Sequence, residues 1–188
     1  MKTILLAAFL LLANLAQAQA GETKALVYIH PDKLERPAQL GLIPYYIHYT
    51  WPGKLALKAS LTALVGPYPN TAQCDGVSTG DLIVWVTPRI KYNPLADKVY
   101  AEAETSFHLG DGRLLWQGSA WGEQRVMLRS QYMDDALGQA FNQAMREVVA
   151  NFSKDAAAQE RLNEWLSKDG TPIQCGLVSV LGHAKVSD

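Results

Sequence analysis

Cysteine is scarce in this chain, two residues in 188, and neither stands beside a second cysteine or a histidine at ligand spacing. That argues against a zinc module, which needs three or four converging ligands. Histidine is nearly as sparse: His30, His48, His108 and His183 are scattered, with no His-x-x-x-His pair. No metal or other cofactor is expected. A basic excess is missing too, with 17 Lys and Arg against 18 Asp and Glu and no basic block. Phosphate backbones call for clustered Lys and Arg, so the composition speaks against a nucleic-acid partner. It speaks against cationic attachment to a membrane surface for the same reason. Long hydrophobic runs are also lacking. Ile4 to Ala13 supplies ten apolar residues before Asn14, whereas a helix needs about twenty to cross a bilayer.

What that short run does resemble is an export leader. Met-Lys-Thr gives a positive start, Ile4 to Leu12 an apolar core, and Ala16–Ala18 and Ala18–Ala20 two overlapping Ala-Gln-Ala triplets. Small residues two apart are what a signal peptidase pocket accepts. Cleavage is expected after Ala20 or Ala18, leaving residues 21–188 as a single domain in the periplasm or outside the cell. Loss of Lys2 lowers the basic count from 17 to 16, against 18 acidic side chains. In an oxidising compartment an even number of cysteines is expected to pair. Cys74 and Cys175 would close a loop of about a hundred residues, worth up to ~4.7 kcal/mol on the chain-entropy model. A metal pair lacks further ligands, and a lone catalytic thiol would leave its fellow cysteine unexplained.

Along the chain, Lys24 to Ile29 reads as a strand ended by His30-Pro31, and residues 31–44 as a loop. Pro44 to Trp51 is dense in aromatics. Thr50 stands at a plausible N-cap with Pro52 in the first turn, and Leu57, Leu61, Leu64 and Val65 recur at helical spacing until Gly66-Pro67. Residues 67–80 read as a loop carrying Cys74. From Asp81 the period becomes two: Leu82, Val84, Val86 and Ile90 face one way, Ile83, Trp85, Arg89 and Lys91 the other. Pro88 cannot donate to a ladder and demands a bulge or an edge. After the turn at Asn93-Pro94, Lys98 to Leu109 alternates cleanly, with Val99, Ala101, Ala103, Thr105, Phe107 and Leu109 on one face. Gly110-Asp111-Gly112 signals a hairpin, and Arg113 to Trp121 returns with Trp116 and Trp121 on opposite faces. Ser130 is placed to cap a long helix whose stripe runs Met133, Leu137, Ala140, Phe141, Ala144, Met145, Val148, Val149, Phe152. A second helix is expected over 153–168. Such helices on one face of a sheet make an α+β two-layer sandwich, its sheet mainly antiparallel and of about four to five strands.

This order of elements over roughly Leu55 to Trp165 resembles YajG-type lipoproteins, and more loosely the N-terminal domain of TolB-like periplasmic proteins. The matching stretch comprises the helix before Gly66-Pro67, the strand from Asp81 to Tyr92, the hairpin at Gly110-Asp111-Gly112 and the helix Tyr132 to Phe152. The resemblance implies a periplasmic α+β sandwich associated with the outer membrane or an envelope complex, and no enzymatic activity. Those lipoproteins carry a lipid-bearing cysteine after the leader, where this chain has Gly21. Membrane anchoring is therefore not carried over.

Three sets of residues could carry chemistry. Gly76-Val77-Ser78-Thr79-Gly80 matches the nucleophile elbow of serine hydrolases, with His183 downstream. An elbow needs a strand before the serine and a helix after it, and here a strand is expected after it. Glu102 and Glu104, with Tyr100 and His108, share the wet face of the cleanest strand. Paired carboxylates do acid–base work only when their surroundings separate their pKa values, and an exposed strand normally leaves them as a solvated face. Tyr45, Tyr46, Tyr49 and Trp51 form the densest aromatic cluster. Exposed, they would make a binding patch; a small domain is more in need of them for its core, and burial is the preferred expectation.

The expected function is thus a non-enzymatic protein of the periplasm that binds an envelope partner through Tyr45, Tyr46, Tyr49, Trp51 or Tyr100, Glu102 and Glu104. A small secreted hydrolase using Ser78 is one alternative, and an accessory subunit of a secretion or transport assembly another. N-terminal mass analysis of the exported protein should find a chain beginning at Gly21 or Gln19; recovery with Met1 in place would refute the leader.

Overall fold

The computed structural model describes residues 23–43, 46–126, 132–168, 170–177 and 180. Residues 1–20, expected to be a leader, and Tyr45, Ser130 and His183 lie outside the described residues. In chain order the elements are β1 (Lys24–Tyr28), α1 (Pro31–Glu35), β2 (Ala38–Ile43), β3 (Tyr46–Thr50), α2 (Pro52–Leu64), β4 (Asn70–Gln73), β5 (Leu82–Asn93), β6 (Lys98–Leu109), β7 (Leu114–Arg125), α3 (Met133–Lys154), α4 (Ala156–Ser167) and a 3₁₀ turn at Cys175–Leu177. The class is the expected α+β. Strands β4-β1-β5-β6-β7 form one sheet and β2-β3 a separate two-stranded one.

The antiparallel part is the expected meander, with β5 to β7 paired in unbroken order. The sheet as a whole is mixed, because β1 runs parallel to both β4 and β5. β1 is buried on both faces, which is why Ala25 to Ile29 is a continuous apolar run instead of an alternation. β1 covers β5 only from Leu82 to Trp85. Beyond that point β5 is an edge, and Pro88 sits there without disturbing the register to β6.

Four elements depart from expectation, α1 among them, since it falls within residues 31–44, read as a loop. β4 and β2 fall in segments expected to be loops, since Asn70-Thr71-Ala72-Gln73 and Ala38-Gln39-Leu40-Gly41 carry too few apolar side chains to show a period. The N-cap of α2 is Trp51, with no side-chain cap bond; Thr50 instead ends β3, fully buried. The buried stripe of α2 is Gly53, Ala56, Ala59, Ser60 and Leu64, while Leu57 and Leu61 flank it. Small residues let α2 lie close to its neighbours. A Cβ at Gly53 would come within 2.3 Å of the Lys33 carbonyl oxygen. The long helix ends at Lys154, and Asp155 then caps α4 by accepting from the Ala158 amide at 3.0 Å.

The helical layer covers one face of the sheet. All nine residues of the α3 stripe are buried: Ala140 to Phe152 share the main core with Ala101, Ala103 and Phe107 of β6, while Met133 and Leu137 pack with Val99. Phe152 stacks on Phe107 with centroids 4.0 Å apart, and Trp116 meets both rings edge-on. Trp121 points to the other face and is 48% exposed. Near Gly122 the helix comes so close that a Cβ would lie 1.9 Å from the Ala140 carbonyl oxygen. On the opposite face a smaller core joins Leu26, Tyr28, Ile83 and Cys175. The Cys74–Cys175 disulfide is formed, spanning 101 residues.

Phe152→Ala should cost about 3–5 kcal/mol, the usual penalty for emptying a core aromatic site. Gly122→Ala should cost at least about 1–3 kcal/mol through overpacking. Urea unfolding of the oxidised chain measures both; a loss below about 1 kcal/mol for either would refute this packing scheme.

Candidate functional site

β2 and β3 form a hairpin whose two rows of side chains do different things. The inner row anchors it. Leu40 packs with Val99, Val126, Met133 and Leu137, and His48 Nε2 lies 3.1 Å from Asp134 Oδ1 at the start of α3. The period of two then sends Ile47 and Tyr49 outward, 50% and 55% exposed, and Trp51, just past the strand at the N-cap of α2, is 40% exposed. The Lys54 ammonium sits 5.8 Å from the Trp51 ring centre, and Glu35 holds that ammonium at 3.6 Å. Burial of this cluster was the preferred expectation. The core is instead filled by Phe107, Phe141 and Phe152, which leaves Tyr49 and Trp51 in solvent. Tyr46 pairs with Ile43 at the turn end of the hairpin. Ile47 escaped notice in the sequence, although it stands two residues before Tyr49 and shares its face.

Tyr100, Glu102 and Glu104 lie on the outer face of β6, in a different sheet from the aromatic row. Arg89, opposite on β5, reaches Glu104 at 3.0 Å and Glu102 at 3.6 Å. One guanidinium thus serves both carboxylates. Together the three side chains form a charge ladder across β5 and β6. Next to them Lys98 bonds Glu123 at 2.7 Å, and this hydrogen bond raises the lysine above its ordinary pKa. His108 is tied into the β6–β7 turn, Nδ1 to the Gly112 carbonyl oxygen at 3.1 Å and Nε2 to Ser106 Oγ at 2.9 Å.

Around Ser78 the chain makes a capped turn. Gly76 takes φ +91°, open to glycine without strain. The Asp75 carboxylate accepts from the Ser78 amide at 2.7 Å, the Ser78 hydroxyl at 2.9 Å and the Val77 amide at 3.1 Å. The Cys175 amide donates to the Ser78 carbonyl oxygen at 2.9 Å, and Thr79 bridges to Gln174. The Ser78 hydroxyl therefore donates its hydrogen bond to a carboxylate inside a turn, and strand β5 follows where an elbow requires a helix. Beside this turn, at the C-terminal ends of the parallel strands β1 and β4, opens a cleft of about 380 Å³. Its walls include Tyr28, Pro31, Leu34, Leu57, Cys74 and Gly176. Clefts at the carboxyl ends of parallel strands are common ligand positions, and recognising β4 in the sequence would have been needed to foresee this one. Among the described residues no group of three His, Cys, Asp or Glu is placed to hold a metal ion.

No family model matches the chain. No curated protein matches it either. Among solved structures, it is similar to a protein of Xanthomonas campestris from the DUF330 family, at 12% identity and a TM-score of 0.43, covering 76% of this chain and 88% of that one. It is also similar to a candidate lipoprotein from Caulobacter crescentus CB15, at 14% identity and a TM-score of 0.36, covering 63% and 85% respectively. Similarities of this size assign neither a family nor a function to the chain.

The bonds to Asp75 hold its carboxyl below the usual 3.8, the Ser78 amide first among them and its hydroxyl next. Because the ionised form accepts these bonds, they persist at neutral pH and are lost as the pH falls through the lowered value. The Ser78 amide proton shift, followed by NMR, should therefore titrate with a midpoint below 3.8, and the titration should vanish in Asp75→Ala. A midpoint above 3.8 would contradict the cap.

Proposed function

We propose that the chain is an exported, non-enzymatic protein of the cell envelope that engages a protein partner through the outward row of the β2–β3 hairpin. The observation that carries this reading is the exposure of Ile47 and Tyr49 on a strand whose opposite row is anchored, with exposed Trp51 directly after it at the start of α2. Aromatic side chains with an apolar body and a polar tip dominate binding hot spots. A row fixed from behind loses little conformational freedom on binding, which favours affinity. Export is supported by the leader pattern of residues 1–20 and by the Cys74–Cys175 pair, since disulfides persist in oxidising compartments. No helix among the described residues is long and apolar enough to cross a membrane. The resemblance to YajG-type and TolB-like envelope proteins implies the same setting. A partner inside a secretion or transport assembly is one form of this function.

The Tyr49→Ala/Trp51→Ala variant should keep its stability within about 0.5 kcal/mol, as surface substitutions do, and lose its partner after mild cross-linking. Removing two hot-spot aromatics costs about 2 kcal/mol or more, roughly 30-fold in affinity. Retention of every co-purifying partner by the folded variant would reject the hairpin as the binding surface. A fluorophosphonate probe tests the hydrolase alternative: Ser78 should stay unlabelled, and labelling lost in Ser78→Ala would overturn the non-enzymatic reading.

A further inference from the structure

Among the described residues the five-stranded sheet has three open edge segments, and two of them are blunted. β4 is only four residues long. The free part of β5 carries Pro88, which lacks a donor, with Arg89 and Lys91 around it. Short length, proline and charge are the usual protections against pairing with another chain. β7, the third edge, is twelve residues long and is protected differently. Two helix side chains occupy its ends. Gln143 of α3 accepts from the Glu123 amide at 3.2 Å, and Arg161 of α4 donates to the Leu115 carbonyl oxygen at 2.6 Å.

These two bonds also fix which way the backbone faces. In an antiparallel strand, alternate residues turn their amide and carbonyl toward opposite sides. The Glu123 amide points away from β6, while the Val126 amide bonds the Asp97 carbonyl on the β6 side. Gln117, Ser119 and Trp121 therefore turn their amides and carbonyls outward, between the two capped ends. Their side chains are exposed and uncharged. No proline, lysine or bulge guards the window, since the one irregularity of the β6–β7 pairing lies at Phe107/His108, ahead of it.

We infer that residues 117–121 of β7 are a β-augmentation site for an extended, uncharged peptide segment of a partner protein, with an apolar side chain of that segment lying on Trp121. Backbone pairing supplies affinity in this mode, and side-chain pockets supply specificity. The window spans about 17 Å at ~3.4 Å per residue. A second compact copy pairing edge to edge would meet the capped ends, and a five-residue ladder falls short of the roughly 1,000 Å² that a stable interface buries. An extended segment needs no more room than the window offers. This surface is independent of the β2–β3 hairpin.

Two measurements on the full-length chain test it. In hydrogen exchange of the purified protein, the Ser119 and Trp121 amides should exchange as freely as open strand, while the Glu123 amide is slowed. Protection of Ser119 and Trp121 equal to that of Glu123 would show the edge already occupied. In the native host, a photo-crosslinking residue at Gln117 should give a discrete adduct that survives Ser119→Ala and is lost in Ser119→Pro, which removes only the outward donor. Proline is tolerated where the amide faces solvent, and thiol alkylation of Cys74 and Cys175 reports whether the variant has folded. If it has not, Ser119→Lys replaces it, with the same loss expected. An adduct of twice the chain's mass, an adduct untouched by the proline or lysine change, or no adduct at all would overturn the proposal.

Discussion

Phe152 of α3 stacks against Phe107 of β6, with Trp116 of β7 edge-on to both, and this contact sets the spacing of the whole helical layer. At the other end of the same contact the helix backbone passes over Gly122 with no room for a side chain. Between these points α3 lies at a fixed height above the meander, and packing at interior density leaves little slack along it. The N-terminal turn of α3 then has a defined position, which lets Met133, Leu137 and Asp134 hold Leu40 and His48 of the β2–β3 hairpin. The exposed aromatic row is thus a remote product of the core: the helix places the hairpin's inner side, and alternation along β3 does the rest.

The opposite face of the sheet is organised by other means. There the cover is a C-terminal segment held by the disulfide and by backbone bonds from Cys175 and Gly176 to the turn at Gly76 and Ser78. That segment closes one side of the cleft beyond β1 and β4. Gly76 and Ser78, which in the sequence resemble part of a catalytic elbow, are spent on this closure together with the Asp75 carboxylate. The charged ladder of Arg89, Glu102 and Glu104 occupies the remaining outer surface of β5 and β6.

Strong periodicity made the meander and the stripe of α3 legible from sequence, because each element buries one face and solvates the other. Pro88 was legible as a bulge or an edge, and the unshifted pairing with β6 makes it the edge. Where an element shows no contrast between faces, the signal fails. β1 is apolar on both sides, so its parallel partners on either flank left no mark, and β4 is polar on both sides. The small-residue stripe of α2 was hidden behind more conspicuous leucines. For the candidate site, composition located the aromatic cluster, but whether it turned inward depended on how much core volume Phe107, Phe141 and Phe152 already filled. That is a property of the assembled layers. The window in β7 was invisible for a similar reason, since it is defined by Gln143 and Arg161 from helices later in the chain.

Among the described residues Cys175 follows every strand and both long helices in chain order, while Cys74 lies between β4 and β5. A polypeptide emerging N-terminus first would therefore present Cys74 alone while β5, β6, β7, α3 and α4 are still to come. The covalent clasp can close only once all of these elements have emerged, so the loop it seals, with 101 residues separating its two ends, encloses the entire meander and both long helices.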